Sequence, residues 1–485
     1  MALRDIPLMS GARLLNGHAG DFTEGRMAFL GRVAREVDGL GRIRVPTRDL
    51  LIANSPETIH QLLVSEAKSF EKSRLIRLAL DPLAGEGLFT AEGALWRRQR
   101  RLMAPVFHPA KIDALAPAMV DCAARVCDRW RDGETLDVAN ETTHIAMAVA
   151  GRTLFGMDTF DEADELGSLL TVALRWADYA STRLSIALQM ELQMALAAAS
   201  YLPAAVLPTV ERIATQLKSP IMWPTRRNRE LRSAIARLDA RVQRMIDERR
   251  ASATPNPDLL THLLRARDQD DGSGMDDKQL RDEILTLFIA GHETTANGLA
   301  WSIYLLAKHP ETYARVRSAV DALEGRPPTL ADLGRLELLT RVFKEALRIY
   351  PPVYLFARMS IADVTVGGYE IPKNTVFLLS PWALHHRADL WPEPERFDPE
   401  RFTPEAEAAR PRDAWIPFSD GPRVCIGMHF SMIEAPLVLA TLLQRVDFEL
   451  LTKAEITTTH DSATLRPRGG VPVRIKQRVA FAKAG

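Results

Sequence analysis

Between residues 93 and about 350, apolar positions recur at three- and four-residue spacing almost without a break, the signature of amphipathic helices packed into a mainly α core. Punctuation falls at Pro105, Pro109, Pro203, Pro208, Pro220 and Pro224, at Asn256-Pro257 and at Gly272-Ser273-Gly274. The pattern predicts one long helix from roughly 277 to 308, stopped by Pro310. At ~1.5 Å per residue it spans ~45 Å, enough to cross a whole domain. Its middle, ILTLFIAGHETTANGLAWSIYLLA, is apolar on most sides, as a buried core helix is; His292, Glu293 and Asn297 at its centre argue against a membrane span. Residues 8–45 and 52–72 mix short helical patterns with strands. After 350, VTVGGYEIPKNTVFLLS reads as a small sheet around a Gly-Gly turn. A proline-rich run from Trp391 to Gly427 resists regular structure, and such a run inside a compact protein is usually functional. A last helix is expected from about 428 to 445. The expected fold class is mainly α with a small β region, in one large domain over 1–485 with 1–44 as a lead-in.

Composition narrows the function. Lys plus Arg equals Asp plus Glu, at 62 each, so bulk charge does not argue for nucleic acid. The three cysteines, Cys122, Cys127 and Cys425, exclude a disulfide framework and any multi-cysteine zinc or iron–sulfur site. They fit a reducing, intracellular setting. The opening residues MALRDIPLMSGARLL do not read as a signal peptide, and no run of about 18 apolar residues is present, so a soluble, cytoplasmic chain without a transmembrane segment is expected.

Cys425 sits in Phe-Ser-Asp-Gly-Pro-Arg-Val-Cys-Ile-Gly, residues 418–427. A thiolate facing an iron needs backbone N–H donors nearby. Gly421 and Gly427 permit the tight backbone and the close cofactor approach this requires. The start of the next helix is expected to lower the thiol pKa, Arg423 to reach a carboxylate at a cofactor's edge, and Phe418 to pack over the sulfur. Mid-way along the long helix stands Ala290-Gly291-His292-Glu293-Thr294-Thr295. Ala290 and Thr294 share a face, and Gly291 removes bulk beside them, leaving a notch. A hydroxyl beside a carboxylate is a proton relay in outline; the bland alternative is a Thr bonded back to its helix and a Glu paired elsewhere. Glu345 and Arg348 are three apart on a helix, and Trp96 and Arg100 share a helix face.

The loop F-x-x-G-x-R-x-C-x-G resembles the cysteine-ligand signature of the cytochrome P-450 family, in which a Cys thiolate ligates haem iron. The resemblance covers about 45–475, with the motifs in the family's order. It implies a haem b cofactor with Cys425 as axial ligand, and propionate contacts at Arg423, Trp96, Arg100 and Arg358. It implies an acid–alcohol pair at Glu293 and Thr294, and a scaffold network of Glu345 and Arg348 with Arg401 of the stretch Phe397–Phe402. Oxygen insertion from O2 into a lipophilic small molecule (a fatty acid, terpenoid or polyketide) follows, by hydroxylation or epoxidation. Electrons come from a separate ferredoxin or flavodoxin with its reductase. Leu287, Phe288, Ala290, Val353 and Tyr354 are the expected pocket residues. Arg97, Arg98 and Arg101 are either a solvated face or a docking patch for an acidic electron carrier. The Met-, Leu- and Ala-rich segment 175–225 is either core packing, a lid for a large apolar substrate or a membrane-touching surface. Rival readings are a haem-thiolate peroxygenase or isomerase that needs no redox partner, a non-catalytic haem-binding protein, and a helical binding protein without haem.

Overall fold

The structure is a computed structural model that describes residues 1–485 apart from 15, 47, 158–162, 183–224, 253–257, 271, 460–463 and 479–485. The long helix is its axis. It runs Asp277–Lys308, and the Asp276 side chain caps it by accepting from the Gln279 N–H at 2.8 Å. Its apolar positions are buried on nearly every side, against the helices Val138–Phe155, Glu337–Ile349 and Met428–Arg445. Trp301 is fully buried and stacks on Tyr350 at 3.7 Å, and its indole N–H donates to the Leu465 carbonyl at 3.1 Å. Truncating such a ring to alanine costs about 3–5 kcal/mol.

The β content is small, as the sequence pattern predicts. A five-stranded sheet has the order Leu40–Val45, Arg48–Ala53, Val376–Leu379, Phe356–Ser360, Phe70–Lys72. Its one parallel pairing sets Leu51 beside Phe377. Three strands, Thr135–Asp137, Pro472–Gln477 and Val446–Leu450, form a second sheet. Val364–Val366 and Tyr369–Ile371 form a hairpin whose turn residues Gly367 and Gly368 both have positive φ, the two-residue turn that matches strand twist. The strand Thr135–Asp137 interrupts the stretch 93–350 that reads as helical throughout. It is an edge strand of three residues, too short to break the apolar spacing.

The proline-rich run holds only a 3-10 turn at Pro399–Phe402 and a short helix at Pro404–Ala409 before the cysteine loop. No helix among the described residues is long and apolar enough to cross a membrane. The expectation for 175–225 falls, from 183 to 224, outside the described residues. Its flanks are the helices Ala163–Thr182 and Arg226–Ala251.

Candidate active site

The cysteine loop is closed by its own backbone. The Cys425 N–H donates to the Phe418 carbonyl at 2.9 Å, and Asp420 accepts from the Gly421 N–H at 2.6 Å. Gly421 has φ +69°, and a Cβ there would stand 1.9 Å from the Leu63 carbonyl oxygen, so only glycine lets the loop lie on residues 61–65. The helix Met428–Arg445 starts just after it, with Gly427 as its N-cap. Phe418 is half-buried and meets Trp415 edge-on at 6.1 Å.

The loop hangs on a buried network. The Arg348 guanidinium grips Glu345 with two bonds of 2.7 and 2.9 Å, both side chains being fully buried. Arg348 also donates to the carbonyls of His385 and Arg396 at 3.0 and 3.2 Å, and the Asp398 N–H donates to Glu345 at 2.9 Å. Arg401 reaches the same carboxylate at 3.5 Å and donates to the Pro392 and Glu393 carbonyls. His385, fully buried, accepts the Ile416 N–H at 2.9 Å, so the chain of bonds runs from Glu345 to the residues that enter the cysteine loop. Burial and the nearby Arg348 push the His385 pKa well below the usual histidine range, and it stays a neutral acceptor. A solvated ion pair at 345 and 348 is thereby excluded.

Cys425 is open at its surface although protein surrounds it closely. The Gly427 N–H and the Arg100 cation both favour the thiolate, as the loop pattern predicts. Burial outweighs them, however, and the thiol stands above its ordinary value rather than below it.

Around the loop gathers a cluster of cations. Arg423 lies 3.9 Å over the Trp96 ring, donates to the Ala91 carbonyl at 2.9 Å and pairs with Glu92. Burial, and then repulsion from Arg423, bring the Arg358 guanidinium down to about 10. Arg423 is also lowered to about 10, by burial first and, against the attraction of Glu92, by Arg77 and Arg100. Lys72 is pushed well below the usual lysine range by burial and by Arg423 and Arg358. Five cations, Lys72, Arg77, Arg100, Arg358 and Arg423, thus act on one another with Glu92 as the carboxylate among them.

On the long helix, Ala290 is exposed, and Gly291 and Thr294 are half-buried, in the middle of a buried stretch. A Cβ at Gly291 would meet nothing within 4 Å, so open space lies beside this turn. The notch read from the sequence is present. The relay partners are not hydrogen-bonded to each other: the Thr294 hydroxyl donates back to the Ala290 carbonyl at 2.6 Å, and the buried Glu293 carboxylate contacts Arg466. Adjacent helical residues point about 100° apart, which is why one faces the notch and the other does not.

Of the expected pocket residues, Ala290 is exposed and Val353 half-buried. Phe288 is buried, and its ring stacks on Phe155 at 4.4 Å. Leu287 is 5% exposed, and Tyr354 is buried with its hydroxyl on Arg26. Arg98 pairs with Asp268 at 3.3 Å and donates to Ser273, Gly274 and Gln279, Arg101 pairs with Asp268 and Asp270, and Arg97 and Arg101 are both exposed.

These residues fit a haem. The group needs a sulfur that protein does not cap, an open helix turn, and cations for two carboxylates; Cys425, the Ala290–Gly291–Thr294 turn and the cation cluster supply them. Lys72, Arg77, Glu92, His385 and Arg466 escape the sequence reading. The Arg423–Glu92 contact joins positions 331 apart, and no local spacing signals it.

The cytochrome P-450 family model matches residues 11–472. The chain is 34% identical over 436 residues to a cyclooctat-9-en-7-ol 5-monooxygenase of Streptomyces melanosporofaciens, covering 89% of this chain and 87% of that one. It is 30% identical over 459 residues to a pentalenene oxygenase of Streptomyces avermitilis, covering 94% of each. The crystal structure of a cytochrome P-450 haem domain superposes with a TM-score of 0.79 at 26% identity, over 98% of both chains.

Proposed function

The chain belongs to the cytochrome P-450 family, and we propose that it is a haem b monooxygenase that hydroxylates or epoxidises a terpenoid with electrons from a separate ferredoxin or flavodoxin. The observation that carries the reading is Cys425 itself: an open sulfur inside the protein, within reach of the Gly427 N–H and the Arg100 cation. Relatives named for oxidising cyclooctat-9-en-7-ol and pentalenene favour a terpenoid over a fatty acid or polyketide.

Cys425 would ligate the haem, which when bound would supply O2 activation and oxidising power. The chain's own residues do the rest. Cys425 would hold the iron, the Gly427 N–H and Arg100 would favour negative charge on its sulfur, and Gly421 keeps the loop in register. Arg423, Arg358, Arg100 and Lys72 would hold the two carboxylates at the haem's edge, which would relieve the repulsion among these cations. Ala290 and Gly291 leave room for the oxygen and for an apolar substrate, and Thr294 presents a hydroxyl there. Glu293 is the carboxylate nearest to that hydroxyl along the chain, and the relay reading assigns it the proton supply.

The test is optical. Reduced protein under carbon monoxide is expected to give the red-shifted Soret band of a thiolate haem, and Cys425→Ala to lose it. A panel of terpenoids, fatty acids and polyketides is then titrated against the haem band of the oxidised protein. Terpenoids are expected to shift it at the lowest concentration; a preference for fatty acids overturns the substrate class but not the chemistry. Turnover with peroxide alone, and none with O2 and a reductase, would replace this reading by a peroxygenase.

A further inference from the structure

Three parts of the chain meet at a point that the proposed chemistry does not use. His60 ends the short helix Pro56–His60, and its Nδ1 stands 2.7 Å from the Asp413 carboxylate. Asp413 precedes the cysteine loop, and Asp420 lies within it. One imidazole nitrogen of His60 and one carboxylate oxygen from each aspartate all fall within 4.8 Å of one another.

The set is more than an acidic surface patch. It includes an imidazole, and the Asp413 side chain is only 4% exposed, while His60 and Asp420 are half-buried and leave a path to solvent. The carboxylates of Asp413 and Asp420 face each other within hydrogen-bond reach. Burial, and then the facing Asp420, push the Asp413 carboxyl up to about 6 against the pull of His60. The other charged group at the set is Arg412, which stands 3.7 Å from Asp420 with a side chain 74% exposed, too well solvated to offset both carboxylates. Two facing carboxylates, one of them inside the protein, call for a proton or a cation between them. A separate observation points the same way. The Ser419 hydroxyl oxygen, one residue before Asp420, is shut off from solvent and has no hydrogen-bond partner among the described residues. A buried polar atom in that state points to an ion or an ordered water.

We infer that His60, Asp413 and Asp420 form a binding site for a divalent transition-metal cation of the zinc type. A mixed set of one nitrogen and two oxygens suits zinc, whereas calcium and magnesium take oxygen ligands. Ligand atoms on a tetrahedral zinc with bonds of ~2.1 Å stand ~3.4 Å apart, so shifts of about an ångström bring all three onto one ion, with water as the fourth ligand. The imidazole binds as the neutral ring and both aspartates as carboxylates, and the proton they shared leaves to solvent.

The position of the site gives it a role. Asp413 and Asp420 bracket the stretch that holds Ile416, whose N–H is taken by His385, and Phe418, whose carbonyl takes the Cys425 N–H. Asp420 also accepts the N–H of Gly421, the residue that lies on the Leu63 carbonyl. An ion held by His60 closes a clip between the helix Pro56–His60 and both ends of that stretch. It steadies the loop that carries Cys425.

The test uses holoenzyme stripped of loose metals with a chelator and titrated with zinc chloride, followed by calorimetry. The parent is expected to take up one zinc per chain, and calcium or magnesium at the same concentration to give no such uptake. His60→Gln and Asp413→Asn are each expected to weaken zinc binding at least about tenfold. Zinc X-ray absorption is expected to show nitrogen and oxygen neighbours alone, which separates this site from the thiols of Cys122, Cys127 and Cys425. If Asp413→Asn folds poorly, His60→Gln decides alone. No zinc uptake by the parent, equal binding by parent and His60→Gln, or sulfur around the zinc overturns the site. Calcium or magnesium bound as well as zinc overturns the class of cation. Zinc is also expected to slow haem transfer to apomyoglobin from the parent and not from His60→Gln; equal rates with and without zinc remove the clip.

Discussion

Arg348 and Glu345 form a doubly bonded ion pair from which solvent is entirely excluded, and the same Arg348 holds the carbonyl of His385, whose ring accepts the Ile416 N–H at the mouth of the cysteine loop. Breaking a buried pair by removing one partner strands a charge and costs about 3–5 kcal/mol. Glu345→Gln and Arg348→Lys are therefore expected to lower the unfolding midpoint sharply and to yield protein short of haem. Arg401 meets Glu345 only at 3.5 Å and keeps its other bonds to backbone carbonyls. Arg401→Ala should be milder, of the order of 1–2 kcal/mol. Denaturant titration of the three variants checks the order; an Arg401 variant as damaged as Arg348→Lys would contradict it.

The loop itself gives a second expectation. A side chain at 421 meets the Leu63 carbonyl at 1.9 Å and must adopt a φ of +69°. Gly421→Ala combines a backbone clash with left-handed strain, and each such strain alone costs about 1–3 kcal/mol. It should shift the reduced carbon monoxide spectrum toward the form that has lost its thiolate. Gly427→Ala, whose Cβ would stand 3.9 Å from the sulfur at ordinary contact distance, should shift it far less. Equal spectra for the two variants would sink the distinction.

How much of this was legible follows from where the partners lie. The long helix, the last helix and the cysteine loop were readable because periodicity, Pro310 and the spacing of Gly421, Arg423, Cys425 and Gly427 are local. The Glu345–Arg348 pair was visible as a spacing, but its burial was not, since that depends on His385, Arg396 and Asp398 arriving from elsewhere. The partner of Phe288, Phe155, was not legible, because an apolar residue on a helix buried on nearly every side carries no mark of what its face meets. Lys72 and Glu92 lie in stretches with no pattern of their own, and only the sheet and the turn before helix Gly93–Met103 bring them beside Arg423.

That cation cluster makes a third expectation. Arg423 stacks on Trp96 and meets a carboxylate, so its planar fork is used on both face and edge. Arg423→Lys keeps the charge and loses both geometries. It should speed haem transfer to apomyoglobin by about tenfold, the equivalent of roughly 1.4 kcal/mol. Lys72→Met removes a cation that burial and two arginines already disfavour, and should speed transfer less. If Lys72→Met releases haem faster than Arg423→Lys, Arg423 does not contribute more than Lys72 to holding the carboxylates.

Glu434, on the last helix nine residues beyond Cys425, is 2% exposed, and its Oε1 has no hydrogen-bond partner among the described residues. Burial raises its pKa from 4.5 to about 8. The folded protein thus keeps a proton that the unfolded chain gives up. Its contribution to stability is whole below the unfolded value near 4.5 and is lost as pH rises through about 8. Over that window the unfolding free energy should fall with pH, by up to about 1.4 kcal/mol per unit for this group. Glu434→Gln keeps the shape and cannot titrate, so it should flatten the fall and leave the variant more stable than the parent at the alkaline end of the window. Glu283, also raised to about 8 by burial but held by the Leu88 N–H at 2.9 Å, stays in place and keeps its own share of the slope. Urea titrations at successive pH values measure the difference. A variant whose stability falls with pH as steeply as the parent's would show that Glu434 is already ionised in the folded protein.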